Sequence, residues 1–271
     1  MKTHPSHAHR TAAFTMMEMI VVITIIALLA VMAFPVYSKL QRMANETVTV
    51  NGLKQIVAAT MTWAADHGDK LPSPKYSAGD KSLPHYWNTA TSGEDGLWLK
   101  GVVFAQIYME ETPPDFTVED STQVTFPGES NRATDGSHLI STVFECKASV
   151  RNLPEETDWY RHSYAMNGNL MYDEIATLDG SEDVWLTEKA LSKFEPTAAM
   201  LYVDSLDKNI VMAEDAQSIL DAAEKRYEDR FFMAAFIDGH VSKMPKNDLP
   251  EGDPTTDRES SLFWRGVMPD R

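Results

Sequence analysis

The chain has 271 residues, enough for one sizeable domain plus an anchor or for two small domains. Its 24 basic against 40 acidic residues give a formal charge of −16, a surface that repels nucleic-acid phosphates and argues against DNA or RNA as a partner. Cys146 is the single cysteine, so no intrachain disulfide can form, and the fold must be held by its core or by bound ions. A buried structural thiol is the preferred reading of it, ahead of a catalytic one.

Residues 1–13 carry Lys2 and Arg10 and no acid. From Phe14 to Phe34 follow 21 residues with one charge, Glu18. At about 1.5 Å per residue this run is roughly 31 Å long as a helix, enough to cross a hydrocarbon core. Its β-branched stretch Val21-Val22-Ile23-Thr24-Ile25-Ile26 has strand propensity in water, but in lipid each backbone group must be satisfied within the segment, which selects a helix. The basic residues ahead of the run keep the leader cytoplasmic and send the rest of the chain across, although Lys39 and Arg42 weaken the asymmetry.

The junction Ala13-Phe14-Thr15-Met16-Met17-Glu18 resembles the prepilin signature of type IV pilins and type II secretion pseudopilins. In that family a basic leader ends in a small residue, followed by Phe-Thr, two apolar residues and a Glu at the fifth mature position. The resemblance implies cleavage between Ala13 and Phe14 by a prepilin peptidase, methylation of the new Phe14 amine, and retention of the helix. Pro35 falls where pilins place a helix-kinking proline. The family prefers Gly before the cut, and Ala13 departs from that. The resemblance also implies a role for Glu18: a carboxylate in lipid needs a cation, and the Phe14 amine of a neighbouring subunit supplies one.

Beyond Pro35, Leu40, Met43, Thr47, Val50, Leu53, Val57, Met61 and Ala64 step by threes and fours, which predicts that the helix continues with one apolar face. His67-Gly68-Asp69 reads as its end. Residues 68–95 and 111–137 read as loops, Leu97–Met109 as a short helix or a core strand, and Ser141–Cys146 as a strand. A short helix is expected over Thr187–Phe194, a buried strand over Ala199–Val203 ending at Asp204, and a helix within 213–229. Phe231–Ile237 and His240–Met244 flank Asp238-Gly239, which predicts a hairpin closed by a two-residue type I′ turn.

A second resemblance is to bacterial prepilin-type proteins with a processing-associated C-terminal domain. It rests on Phe144-Glu145-Cys146, Ser163-Tyr164-Ala165-Met166-Asn167, the strand ending at Asp204, and Phe236-Ile237-Asp238-Gly239-His240-Val241. That domain carries a His ten positions before the Asp-Gly; Glu228 stands there in this chain.

Other chemistry is thinner. His4, His7 and His9 lie in the leader, and His240 follows a turn. Asp173, Asp179 and Asp183 gather with other acids around Gly180 as candidate calcium ligands, but they miss the EF-hand spacing, and an ordinary acidic loop is preferred. The six tryptophans invite sugar stacking but read better as core. No Gly-rich phosphate loop, Gly-x-Ser-x-Gly elbow or His-Glu-x-x-His helix is present, and the chain reads as a non-enzyme without a cofactor.

The expectation is an α+β, pilin-like fold: a leader over 1–13, a long helix over 14–67 with its transmembrane part at 14–34, and an extracytoplasmic domain over 68–271 built on a small antiparallel sheet. Its expected work is that of a subunit of a type II secretion pseudopilus or type IV pilus-like filament in the cytoplasmic (inner) membrane, with Ala13 and Phe14 for processing and Glu18 and Pro35 for assembly. The partners implied are copies of itself, related pilin-like subunits, the prepilin peptidase and the assembly platform. The alternative is a membrane-anchored extracytoplasmic binding protein, for a glycan or other ligand, that uses the signal for export.

Overall fold

In the computed structural model the described residues are 15–72, 74–76, 85–86, 90–92, 98–100, 103, 106–107, 143–144, 146, 164–171, 189–206 and 208–269. The chain divides into two units, Met1–Ala44 and Asn45–Arg271. One helix, α1 (Met16–Asp66), contributes to both.

In the first unit α1 exposes a continuous apolar surface that includes Ile20, Val22, Ile26, Leu29, Val31 and Phe34. Two of its hydroxyls are satisfied within the helix: Thr24 Oγ1 donates to the Ile20 carbonyl at 2.7 Å and Ser38 Oγ to the Phe34 carbonyl at 3.2 Å. By length and composition this helix can cross a membrane. The backbone is helical through Pro35.

The second unit is built on a five-stranded sheet in the order β7-β5-β6-β8-β9, from β5 (Tyr164–Asn167), β6 (Met200–Asp204), β7 (Ile210–Val211), β8 (Phe231–Phe236) and β9 (Val241–Pro245). The expected antiparallel sheet proves to be mixed, because β5 and β7 run parallel. After β6 the chain reverses and lands on the far side of β5, so β7 opposes β6 in direction and matches β5.

Both faces of this sheet are covered, which explains the unbroken apolar run Phe232-Met233-Ala234-Ala235-Phe236 in β8. Alternate residues point opposite ways. Tyr164, Met166, Met233 and Ala235 join Leu53, Ile56 and Val57 of α1 in one core. Ala165, Phe232, Ala234 and Phe236 join Ile219 and Ala223 of α2 (Ala216–Tyr227), together with Phe263 and Trp264, in the other. A bulge between Met200 and Tyr202 turns both Leu201 and Tyr202 toward the α1 side.

The buried stripe of α1 is Thr49, Gly52, Leu53, Ile56, Val57, Ala59, Thr60 and Ala64. The predicted face held at Leu53, Val57 and Ala64, whereas Leu40, Met43 and Thr47 are exposed. The helix ends as expected: Gly68 has φ +72°, and the Asp69 N–H donates to the Ala64 carbonyl at 2.8 Å.

Several local expectations need correction. The region 68–95 is more than surface loop, since Leu71 is fully buried. It also holds β1 (Lys75–Tyr76) paired with β2 (His85–Tyr86), and β3 (Ala90–Ser92) paired with β4 (Trp98–Lys100). Leu97–Met109 is both of its alternatives in part, with strand at β4 and helical backbone at Val103, Gln106 and Ile107. Val143 and Phe144 lie in a turn rather than a strand. This backbone lies directly on α1, since a Cβ on Gly52 would stand 2.7 Å from the Val143 carbonyl oxygen. Thr187–Phe194 is, over its described part, a 3₁₀ turn at Leu191–Lys193. Residues 111–137 lie outside the described set.

The hairpin strands form as predicted, but the turn has three residues, Ile237-Asp238-Gly239. The Gly239 N–H donates to the Phe236 carbonyl at 2.9 Å and the Phe236 N–H to the His240 carbonyl at 3.0 Å. Gly239 has φ +89° and Asp238 does not enter the left-handed region, which gives a type I turn completed by a glycine bulge in place of type I′. Asp238 Oδ1 accepts from the His240 backbone at 3.0 Å and meets its Nδ1 at 2.6 Å; burial, the largest single influence, pushes the carboxyl up, and the bonds to His240 together outweigh it and hold the carboxyl below its ordinary range.

Gly52 yields a direct test. Gly52→Ala should destabilise the protein by about 1–3 kcal/mol through overpacking, less about 1 kcal/mol regained from helix propensity. Chemical denaturation of the solubilised chain measures the difference. A stabilised variant would mean that the Val143 carbonyl yields freely.

Candidate functional site

Thr15 and Glu18 form a closed arrangement at the start of α1. The Thr15 carbonyl accepts the first helical bond from the Met19 N–H at 3.3 Å. The Thr15 hydroxyl accepts from the Glu18 N–H at 3.2 Å, while the Glu18 carboxylate accepts from the Thr15 N–H at 2.9 Å and from its hydroxyl at 2.8 Å. This is a capping box, the reciprocal satisfaction of two otherwise orphaned donors. Glu18 therefore lies exposed with its carboxylate folded back to the helix N-terminus. Thr15 and Glu18 both stand in the prepilin-like junction, and Thr-x-x-Glu before an apolar run is also the sequence signal for this cap.

Ala13, Phe14, Asp173, Asp179 and Asp183 lie outside the described residues, as do His4, His7 and His9, and the side chain of Pro35 is likewise not described. Among the described residues no group of three His, Cys, Asp or Glu side chains is placed to hold a metal ion. Trp264 is buried, and Trp63 is half-buried and stacked on His67 at 3.9 Å.

A second cluster lies beneath the docked part of α1. Asp204 at the end of β6 is fully buried beside Arg226 of α2. One Arg226 amino group meets Asp204 Oδ1 at 3.3 Å and the other donates to the Ser205 carbonyl at 2.7 Å. Asp204 Oδ2 accepts the Met233 N–H at 2.7 Å. Burial pushes the Asp204 carboxyl up to about 6, against the opposing pull of Arg226 and the Met233 N–H. Tyr164 sits opposite Asp204 in the sheet register. Its hydroxyl is buried and closes no hydrogen bond, with Thr49 near enough to ease its charged form. Burial drives its ionisation well upward, and that of Tyr227 likewise. Cys146 Sγ lies 3.5 Å from Thr49 Oγ1 and 3.4 Å from the Tyr227 hydroxyl, linking α1 to α2.

Three of the motif pieces singled out from sequence thus converge on one place: Cys146, Tyr164 and Asp204. Arg226 and Thr49 were missed. Arg226 falls on the spacing Ser218, Ile219, Ala222, Ala223, Arg226, Tyr227, all buried, so the helix period could have placed it inside. Thr49, Cys146, Tyr164, Asp204, Arg226 and Tyr227 are all buried, and the cluster ties α1, β5, β6 and α2 together.

No protein-family model matches the chain, and no curated protein or solved structure matches it.

Proposed function

We propose that this protein is a pilin-like structural subunit, processed between Ala13 and Phe14 and packed through α1 into a type II secretion pseudopilus or type IV pilus-like filament at the cytoplasmic membrane. The observation that carries the reading is the Thr15–Glu18 cap at the head of a long, apolar, exposed helix. A hydrophobic helix needs no carboxylate to cross a membrane, and one at this depth costs free energy. The cap holds the Glu18 carboxylate at the helix N-terminus, adjacent to the residue whose amine cleavage would free. Because Thr15 keeps its amide N–H after such a cut, the cap survives processing. Self, related pilin-like subunits, the peptidase and an assembly platform are the partners this implies.

The test separates the cap from the charge. Glutamine retains the capping geometry and removes the charge, whereas alanine removes both. Glu18→Gln and Glu18→Ala should both insert into the membrane, begin at Phe14 by N-terminal sequencing, and fail to enter sheared filaments. Filament entry by Glu18→Gln at the wild-type level would sink the charge-pairing role. An uncleaved leader in the wild type would favour the anchored binding protein.

A further inference from the structure

The stripe by which α1 docks on the sheet is apolar at Leu53, Ile56, Val57 and Ala64 and polar or small at Thr49, Gly52 and Thr60. The two kinds of position differ in how they respond to a slide of the helix along its axis. A slide by one turn, about 5.4 Å, moves each residue into the place of one four positions away. In one direction Val57 and Met61 replace Leu53 and Val57; in the other, Leu53 replaces Val57. The contacts of Leu53 and Val57 are thereby renewed in one direction and that of Val57 in the other, whereas Ile56 gives way to Thr60 or Gly52.

The polar and small positions admit no such exchange. Gly52 would give way to Ile56 or Val48, where even a Cβ stands 2.7 Å from the Val143 carbonyl oxygen. Thr49, which meets Cys146 Sγ at 3.5 Å, would give way to Leu53 or Asn45. Thr60, whose hydroxyl lies 2.7 Å from that of the fully buried Tyr202 and donates to the Ile56 carbonyl at 2.9 Å, would give way to Ala64 or Ile56.

We infer that Thr49, Gly52 and Thr60 set the register of α1 on the sheet, through the Gly52–Val143 approach and the Thr49–Cys146 and Thr60–Tyr202 contacts, while Leu53 and Val57 supply adhesion that a slide in part restores. A single polar residue in an otherwise apolar helix seam fixes register in the same way elsewhere. The inference stands independently of the filament reading.

The test is a triple variant of the full chain in detergent, Thr49→Val, Thr60→Val and Tyr202→Phe, which replaces hydrogen-bonding groups by apolar ones of similar shape and so changes stability little. Cys146 lies fully buried beside Thr49, and its labelling by a thiol reagent reports departure from the native register. The expected result is an unchanged thermal midpoint, labelling faster by about tenfold, the scale of one net hydrogen bond, and two isotope populations in hydrogen exchange of peptides covering 49–64. Thr49→Ser with Thr60→Ser should label as wild type does. Wild-type labelling with a single exchange population in the triple variant overturns the roles given to Thr49 and Thr60 and leaves the Gly52–Val143 approach alone to set the register. A large fall in thermal midpoint overturns it too, because these groups would then be holding the fold together.

Discussion

Arg226→Met should destabilise the protein by about 3–5 kcal/mol near neutral pH, the usual consequence of removing one partner from a buried ion pair. Arg226 and Asp204 are both buried, and their contact is a 3.3 Å approach through one amino group. The carboxylate would keep its bond from the Met233 N–H, which satisfies one lone pair and leaves the charge uncompensated. The Ser205 carbonyl would also lose its donor at 2.7 Å. Urea denaturation of the detergent-solubilised chain measures the loss.

The penalty should depend on pH, with a definite sign. Burial holds the folded Asp204 carboxyl up at about 6, above its ordinary value of 3.8, so the folded state keeps a proton that the unfolded state has released. Its contribution to stability is therefore fully present below about pH 4 and is lost as pH rises through about 6. Arg226 works against that rise, so Arg226→Met moves the folded value further up and extends the loss to higher pH. The gap between wild type and variant should be small at pH 5 and wide at pH 8. An equal gap at both would mean that Asp204 does not take up a proton when its cation is removed.

Much of the helix and strand content could be read from local pattern. The α1 span followed from an apolar run joined to a helical period and ended by Gly68, and β8 and β9 followed from apolar runs around Asp-Gly. The misses share a cause. Leu40 and Met43 continue the period of the docking stripe yet are exposed, because helical spacing of apolar residues marks a face and does not say where along the helix a covering partner ends. Ser141–Cys146 has strand-like residues, but Val143 meets Gly52, far away in the chain, and local pattern carries no sign of such a contact. The turn at Asp238-Gly239 was lengthened by one residue because a single left-handed glycine was enough to close it. At the candidate sites, Glu18 stood out as a charge in an apolar run, whereas Arg226 hid among the other charges of its helix.

Trp264→Ala is expected to cost about 3–5 kcal/mol, since removing a large buried side chain leaves a cavity that the surroundings fill incompletely. Trp264 is fully buried, packs edge-on against Phe263 at 5.2 Å, and donates from Nε1 to the Pro250 carbonyl at 3.3 Å. Its carbonyl accepts from Asn167 Nδ2 at 2.7 Å, and the same amide donates to the Met200 carbonyl at 2.8 Å. Asn167 thus joins β5, β6 and the C-terminal turn at a single buried point, which is a physical reason for an Asn at the end of the Tyr-Ala-Met-Asn strand. Because the Asn167 bond reaches the Trp264 backbone, Trp264→Ala should loosen the apolar face while leaving that tether in place. Unfolding would then be cooperative, with a lowered urea midpoint and no early loss of the C-terminal segment to protease. Selective cleavage near residues 258–265 under native conditions would instead mean that the indole, and not Asn167, holds this segment down.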